Sequence, residues 1–262
     1  MGTPQPDTEQ QAILREKVSE GFRAYTEDAV VRHVTYKLGA KDGKTQIDCA
    51  GFIEKAVRRV FEDYLTNGEK LEIKNNKNQT HVFDCGADDQ ISEVSRKTGV
   101  LLKGNDVNLK TIKEGMIIGM GTADKVSWAG DRNLWNNISH IVLVYKDPES
   151  GELMVGQSSG SGGGANAKPL KDWMQAAKAQ GWSLYATDVV KLAANIDAKP
   201  SDAPPQAVAT AVRTGADVTK SFLGAFPDIS GAFGISSQRH QTSPAVAPGA
   251  KPTTPTPQKL TH

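Results

Sequence analysis

The 262-residue sequence predicts an α+β architecture, helices packed on an antiparallel sheet, followed by a partly disordered C-terminal tail. Three observations carry that expectation. Phe52, Ile53, Ala56, Val57, Val60 and Phe61 recur at helical spacing, with Glu54, Lys55, Arg58 and Arg59 on the opposite face, so this stretch is an amphipathic helix. Ile141 to Tyr145 is a short apolar run of strand length, and the turn residues Asp147 to Gly151 lead from it into Leu153-Met154-Val155 as a hairpin. After Leu192 the composition shifts, and residues 195–205 and 243–257 are rich in Pro, Ala, Ser and Thr. The chain therefore divides into an N-terminal helical segment (1–28), a main domain (29–192) and a tail (193–262).

Taken in order, Thr8 to Tyr25 reads as a first helix with Ile13, Val18 and Phe22 as its buried line, and Ala29 to Tyr36 extends it or forms a second short helix. The amphipathic helix ends near Asn67-Gly68. Glu69 to Thr80, rich in Lys and Asn, is a solvated loop. Cys85 lies before a helix that begins in the acidic run Ala87 to Gln90. Val100 to Leu102 and Met116 to Met120 introduce the sheet. Residues 122–137 form an insertion whose Trp128 and Trp135 either line a groove for sugar or peptide or pin the loop to the domain. Beyond the hairpin the chain runs out into the glycine-rich stretch Gly156 to Gly164. That stretch lacks the Lys-Ser/Thr ending of a phosphate-binding loop, which disfavours a nucleotide site. Asp172-Trp173-Met174 opens another helix, and Ser183 to Val190 supplies a closing strand. In the tail, Val208, Val212, Val218, Phe222 and Phe226 outline one candidate helix.

The charges bound the partners. With 31 basic and 30 acidic residues the formal net charge is +1, without the basic excess of a nucleic-acid surface. No apolar run is long enough to span a membrane. The first residues show neither a basic n-region nor an apolar h-region, so no Sec-type signal is expected. The protein is then expected to be made in the cytoplasm and to reach any target outside it after export, injection or lysis. No metal and no other cofactor is expected, because His33, His81, His240 and His262 show no ligand spacing.

Chemistry concentrates at Cys49, which opens the amphipathic helix. A thiolate at a helix start faces unpaired N–H groups and the positive end of the macrodipole. At a reference pKa near ~8.5 about 3% of a thiol is ionised at neutral pH, and a helix N-terminus lowers the value toward ~7, where about half is. Its bland alternative is a small buried hydrophobe. Gly51 keeps the backbone open to a second chain, and Ser139-His140-Ile141 places a histidine at the mouth of the apolar strand, as thiol activation by an adjacent base requires. The two cysteines allow a single intramolecular bridge, Cys49–Cys85, and free thiols are expected instead.

The ordered set Tyr36-x-x-Gly39, Asp48-Cys49-Ala50-Gly51-Phe52, Lys113-Glu114-Gly115-Met116-Ile117-Ile118 and Ser139-His140-Ile141-Val142 resembles the NlpC-like cell-wall peptidases, papain-like cysteine enzymes that cut amide bonds of peptidoglycan stem peptides. The family carries Ser where this chain has Ala50 and Asp where it has Met116, and its Cys-to-His interval is shorter. The resemblance implies a papain-like (NlpC-type) fold with Cys49 as nucleophile, His140 as base, and Gln157 at the strand end orienting the imidazole, with Ser158 behind it. Tyr36, Asp48, Ala50, Gly51 and Trp128 would then border the oxyanion or substrate. With the missing signal and the extra tail, it also points to a delivered antibacterial amidase of the type VI secretion kind, with an immunity or delivery protein as partner. Acyl transfer or deamidation by the same pair, and a non-catalytic binding module, stay open beside hydrolysis.

Overall fold

The computed structural model describes residues 6–66, 71–74, 80–81, 83–121 and 136–201. Helix α1 spans Glu9–Val31 and opens with a capping box: Thr8 Oγ1 accepts from Gln11 N–H, and Gln11 Oε1 accepts from Thr8 N–H. Its buried line is Leu14, Val18, Phe22, Tyr25 and Ala29, whereas Ile13 is 46% exposed. The expected line is thus corrected at its start, where Leu14, four residues before Val18, takes the inward position. The helix closes at Arg32, and His33 turns the chain at φ 53°. Residues 35–36 are consequently not helical: β1 (Thr35–Tyr36) pairs in parallel with β2 (Gln46–Ile47). Position 28/29, expected as a boundary, falls inside α1, whose apolar line belongs to the main core.

Helix α2 (Cys49–Arg59) is capped by Asp48 and runs on into a π-helical turn, Val60–Tyr64, before β3 (Leu65–Thr66). Phe52 packs edge-on against Tyr25 with ring centroids 5.0 Å apart, tying α2 to α1. The expected solvated loop contains a short hairpin, β4 (Ile73–Lys74) with β5 (Thr80–His81). Leu71 and Ile73 are fully buried there, and their apolar pull was diluted in the sequence by the surrounding Lys and Asn. Helix α3 (Ala87–Thr98) has Gly86 as its N-cap, so Cys85 precedes it, and it ends on left-handed Gly99.

The main sheet contains β6 (Leu102–Lys103), β7 (Met116–Gly121), β8 (Ile138–Lys146), β9 (Leu153–Ser159), β10 (Gly164–Pro169) and β11 (Ser183–Asp188). Its order is β2-β1-β10-β9-β8-β7-β11-β6, antiparallel throughout except for the parallel β1–β2 edge, so the sheet is mixed. The glycine run does not leave the sheet: β9 continues to Ser159, residues 160–163 turn, and β10 returns beside it. Helix α4 (Leu170–Ala179) covers one face over Val142, Val144 and Val155. On the other face α1, α2, α3 and α5 (Val189–Asn195) bury Ile117, Ile141, Leu143 and Tyr145. Val189 and Val190 open α5 rather than closing a strand, because Asp188 caps the helix by accepting from Val190 N–H at 3.0 Å. The described chain also passes residue 192: β12 (Lys199–Pro200) pairs with β3, and Ala193 and Ala198 are buried. The candidate tail helix, Trp128 and Trp135 lie outside the described residues.

One departure from regular pairing positions the site. Strands β8 and β9 pair from Lys146–Leu153 to Leu143–Gly156, and among the described residues the ladder ends there. At that point α1 presses on the sheet, since a Cβ on Gly156 would stand 2.3 Å from Thr26 Oγ1 and 2.8 Å from Leu143 Cδ1. Beyond the fork, β9 pairs among the described residues only with β10, and the N-terminus of α2 fills the opening. Ser158 Oγ donates to Ile47 C=O at 2.9 Å from the β9 side of the wedge.

Candidate active site

Cys49 is the first helical residue of α2 and sits in the fork between the two strands. Its Sγ lies 3.9 Å from the Ser139 carbonyl oxygen, and the Ile141 and Ala50 N–H groups act on the sulfur as donors. The thiol therefore lies against the open edge of β8 at the two residues that flank His140. The Cys49 N–H, at the first helical position, has no intrahelical acceptor.

His140 pairs with Met120 across β7, and both side chains stand on the face covered by α4. Its Nε2 is 2.7 Å from Gln157 Oε1. The direction of this bond follows from a chain that ends on a group with only one possible role. The Gly164 carbonyl can only accept, so Asn166 turns its Nδ2 to it at 2.8 Å and also donates to Ser159 Oγ at 3.2 Å. Asn166 Oδ1 then accepts from Gln157 Nε2 at 2.9 Å, which leaves Gln157 Oε1 facing the imidazole. His140 thus carries its proton on Nε2, and Nδ1 is the basic nitrogen. Burial, with Lys168 acting in the same direction, holds the His140 pKa below the ordinary histidine value against the opposing bond from Gln157. The imidazole rests neutral.

The other expected residues divide clearly. Tyr36 is half-buried beside the cysteine: its phenol pKa is pushed up to about 12 by burial first, then by Cys49, once that thiol ionises, and by the Asp48 carboxylate. Asp48 is engaged on both oxygens, Oδ1 accepting from Gly51 N–H at 2.6 Å and Oδ2 from Gly39 N–H at 3.0 Å, with Lys41 Nζ 3.6 Å away. It clips the 39–41 turn to the helix start and does not present itself to a substrate. Gly51 is needed for that same closeness, because a Cβ there would meet Lys41 Cδ at 2.8 Å and Ala40 O at 3.1 Å. Ala50 is buried, with its carbonyl bound by Gln90 Nε2. Ser158 is fully buried and bonded to Ile47, so it packs the wedge rather than backing Gln157.

The charge state of the thiol corrects the expectation drawn from its helix position. Burial pushes the Cys49 pKa up to about 12, and the adjacent Asp48 carboxylate adds to the rise. The Ile141 and Ala50 N–H groups and the Lys41 ammonium act against it and do not win. Resting Cys49 is a neutral thiol, as resting His140 is a neutral imidazole. In a Cys85→Ser background, alkylation of Cys49 by iodoacetamide is therefore expected to be slow at pH 7 and to keep rising with pH beyond 9. A plateau below pH 8 would show a thiolate–imidazolium pair instead.

Sequence reasoning missed Asn166, which fixes the Gln157 amide. Its signal was the glycine run read as a hairpin turn, which pairs Asn166 with Gln157. It also missed Gln90, whose amide joins the carbonyls of Ala50 and Phe83 across α2 and α3. Among the described residues no cluster of three or more His, Cys, Asp or Glu could hold a metal ion, and no helix is long and apolar enough to cross a membrane.

No family model and no curated protein matches this sequence. Among solved structures, the chain is similar to an N-acetylmuramoyl-L-alanine amidase from Bacteroides uniformis at 12% identity, over 62% of this chain and 97% of that one, with a TM-score of 0.38. A score of that size carries no argument about fold or activity, so the chemistry of the site stands on its own side chains.

Proposed function

We propose that the chain is a cysteine-dependent hydrolase of amide bonds in peptidoglycan stem peptides, with Cys49 as nucleophile and His140 as base and acid. The observation that carries this reading is the fork: a helix-start thiol lies against the strand edge at His140, whose tautomer is set by Gln157 and Asn166. The substrate class rests on the resemblance borne by Tyr36-x-x-Gly39, Asp48 to Phe52, Lys113 to Ile118 and Ser139 to Val142. As the sulfur bonds to the substrate carbonyl carbon, its proton passes to His140 Nδ1, and the oxyanion is held by N–H groups including that of Cys49. His140 returns the proton to the departing amine as the C–N bond breaks, leaving a thioester on Cys49. Water, deprotonated by the same nitrogen, then releases the carboxylate product and restores the thiol.

Mass spectrometry of purified peptidoglycan fragments incubated with wild type, Cys49→Ala and Cys85→Ala tests the reading. New amine and carboxylate termini are expected with wild type and Cys85→Ala and not with Cys49→Ala. No cleavage by reduced, folded wild type would sink it. Gln157→Leu is expected to lower kcat about 10- to 100-fold, because the imidazole loses the acceptor that fixes its tautomer. Unchanged kcat in that variant would remove Gln157 from the mechanism.

A further inference from the structure

We propose that the pocket beside the His140 ring is the leaving-group subsite, and that Lys168 binds there a carboxylate carried by the departing amine. This rests on the hydrolase reading above and adds to it a class of substrate.

The pocket lies between the sheet and α4 and is open at its mouth; its lining includes His140, Gln157, Ser159, Lys168 and Trp173. A group that protonates the leaving nitrogen has to abut it, so space continuous with the His140 ring belongs to the amine half of the cut bond. Strand alternation places the cation there. Asn166 pairs with Gln157 and Lys168 with Val155, so Lys168 stands two residues along from the amide anchor on the same face. The neighbouring Ala167 points to the opposite core. Lys168 is half-buried, and among the described residues its ammonium makes no hydrogen bond or ion pair, although twelve ion pairs form elsewhere in them. Asp172 also lines the pocket, yet it is exposed on the first turn of α4 and forms no ion pair with Lys168. Desolvating an ammonium without a partner is unfavourable, and an anion delivered to it recovers that loss as a charge-assisted contact. Trp173, 7% exposed, gives the aliphatic part of the amine a rigid wall.

The test uses stem-peptide fragments whose departing residue ends in a free carboxylate or in the matching carboxamide. Wild type is expected to prefer the acid by about 10- to 100-fold in kcat/KM, the usual worth of a hydrogen bond to a charged group. Lys168→Met is expected to abolish the preference, so that the acid and the amide are cleaved with equal kcat/KM. A preference that survives in Lys168→Met overturns the inference while the hydrolase stands. A second measurement does not need turnover: alanine, alanyl-alanine and alanyl-alanine amide are titrated into full-length Cys49→Ala and Cys49→Ala/Lys168→Met protein, following the Trp173 indole N–H by NMR. Binding of an acid, lost in the amide and in the Lys168 variant, supports the subsite even if no fragment is cleaved, in which case the hydrolase reading alone fails. Equal response to acid and amide overturns it. Alanine against alanyl-alanine separates a single departing amino acid from a departing peptide.

Discussion

Cys49→Ala is expected to lower kcat/KM for peptidoglycan cleavage by about 10⁴-fold or more, the scale on which removing a covalent nucleophile acts when its base and oxyanion donors remain. The same substitution should leave the fold intact. Cys49 fills the fork as a small side chain at a helix start, and alanine keeps the helix and the Asp48 cap, whose bonds run to Gly51 and Gly39 rather than to the sulfur. Cys49→Ser is a stricter version, because it keeps an acceptor where the Ile141 and Ala50 N–H groups converge while losing the nucleophile's reactivity. Single-turnover assays with intact mass spectrometry should show a thioester adduct on wild type, none on Cys49→Ala, and an adduct on Cys85→Ala. Cleavage by Cys49→Ala within tenfold of wild type would end the assignment.

A thiol pushed up to about 12 and a neutral imidazole bear on how the proposed attack would proceed. In the proposed mechanism no ion pair is formed in advance, and the proton would move from sulfur to Nδ1 during attack. The low pKa of His140 helps the later step, because a weakly basic imidazolium gives its proton readily to the departing amine. Activity should therefore fall on the acid side as His140 protonates, at a pH below the ordinary histidine range, since protonation of Nδ1 removes the base.

The sequence made the two central elements legible for physical reasons. Apolar residues at helical spacing after Cys49 and a continuous apolar strand after His140 are strong periodic signals, and each matches its observed element, α2 and β8. What stayed hidden depended on register or burial. Reading Gly160 to Gly163 as an outgoing loop concealed β10, and with it the partner of Gln157. Ile13 and Leu14 are both apolar, and only the packing of α1 decides which turns inward. Val189 and Val190 look like strand residues until the Asp188 cap is known, because the carboxylate of Asp188 bonds Val190 N–H and starts a helix. The thiol charge was misread because a helix N-terminus was weighed alone, whereas burial and Asp48 outweigh it.

The second large effect lies away from the site, at Arg15. This guanidinium is 5% exposed and joins three parts of the chain: Nε and Nη2 bond Asp7, Nη2 bonds Asp188 at 2.8 Å, and Nη1 donates to the Glu114 carbonyl at 2.7 Å. Burial works against its charge, yet the hydrogen bonds and charges of Asp7 and Asp188 outweigh it and raise the pKa. Arg15→Leu fills similar space but leaves Asp188 buried without its cation, and is expected to cost about 3–5 kcal/mol in urea unfolding. Asp188→Asn added to Arg15→Leu should recover part of that loss, because the amide keeps the Oδ1 that caps α5 and removes the stranded charge. The pH dependence carries the sign. Its bond to Arg15 chiefly, against the cost of burial, holds Asp7 below its unfolded value of 3.8, so its contribution is present above 3.8 and is lost as pH falls through the lower folded value. The gap between wild type and Arg15→Leu should be widest above pH 4 and narrow on further acidification. A loss under about 1 kcal/mol, or a gap that widens in acid, would mean that the ion triad is not what fastens α1, the start of β7 and the cap of α5 together.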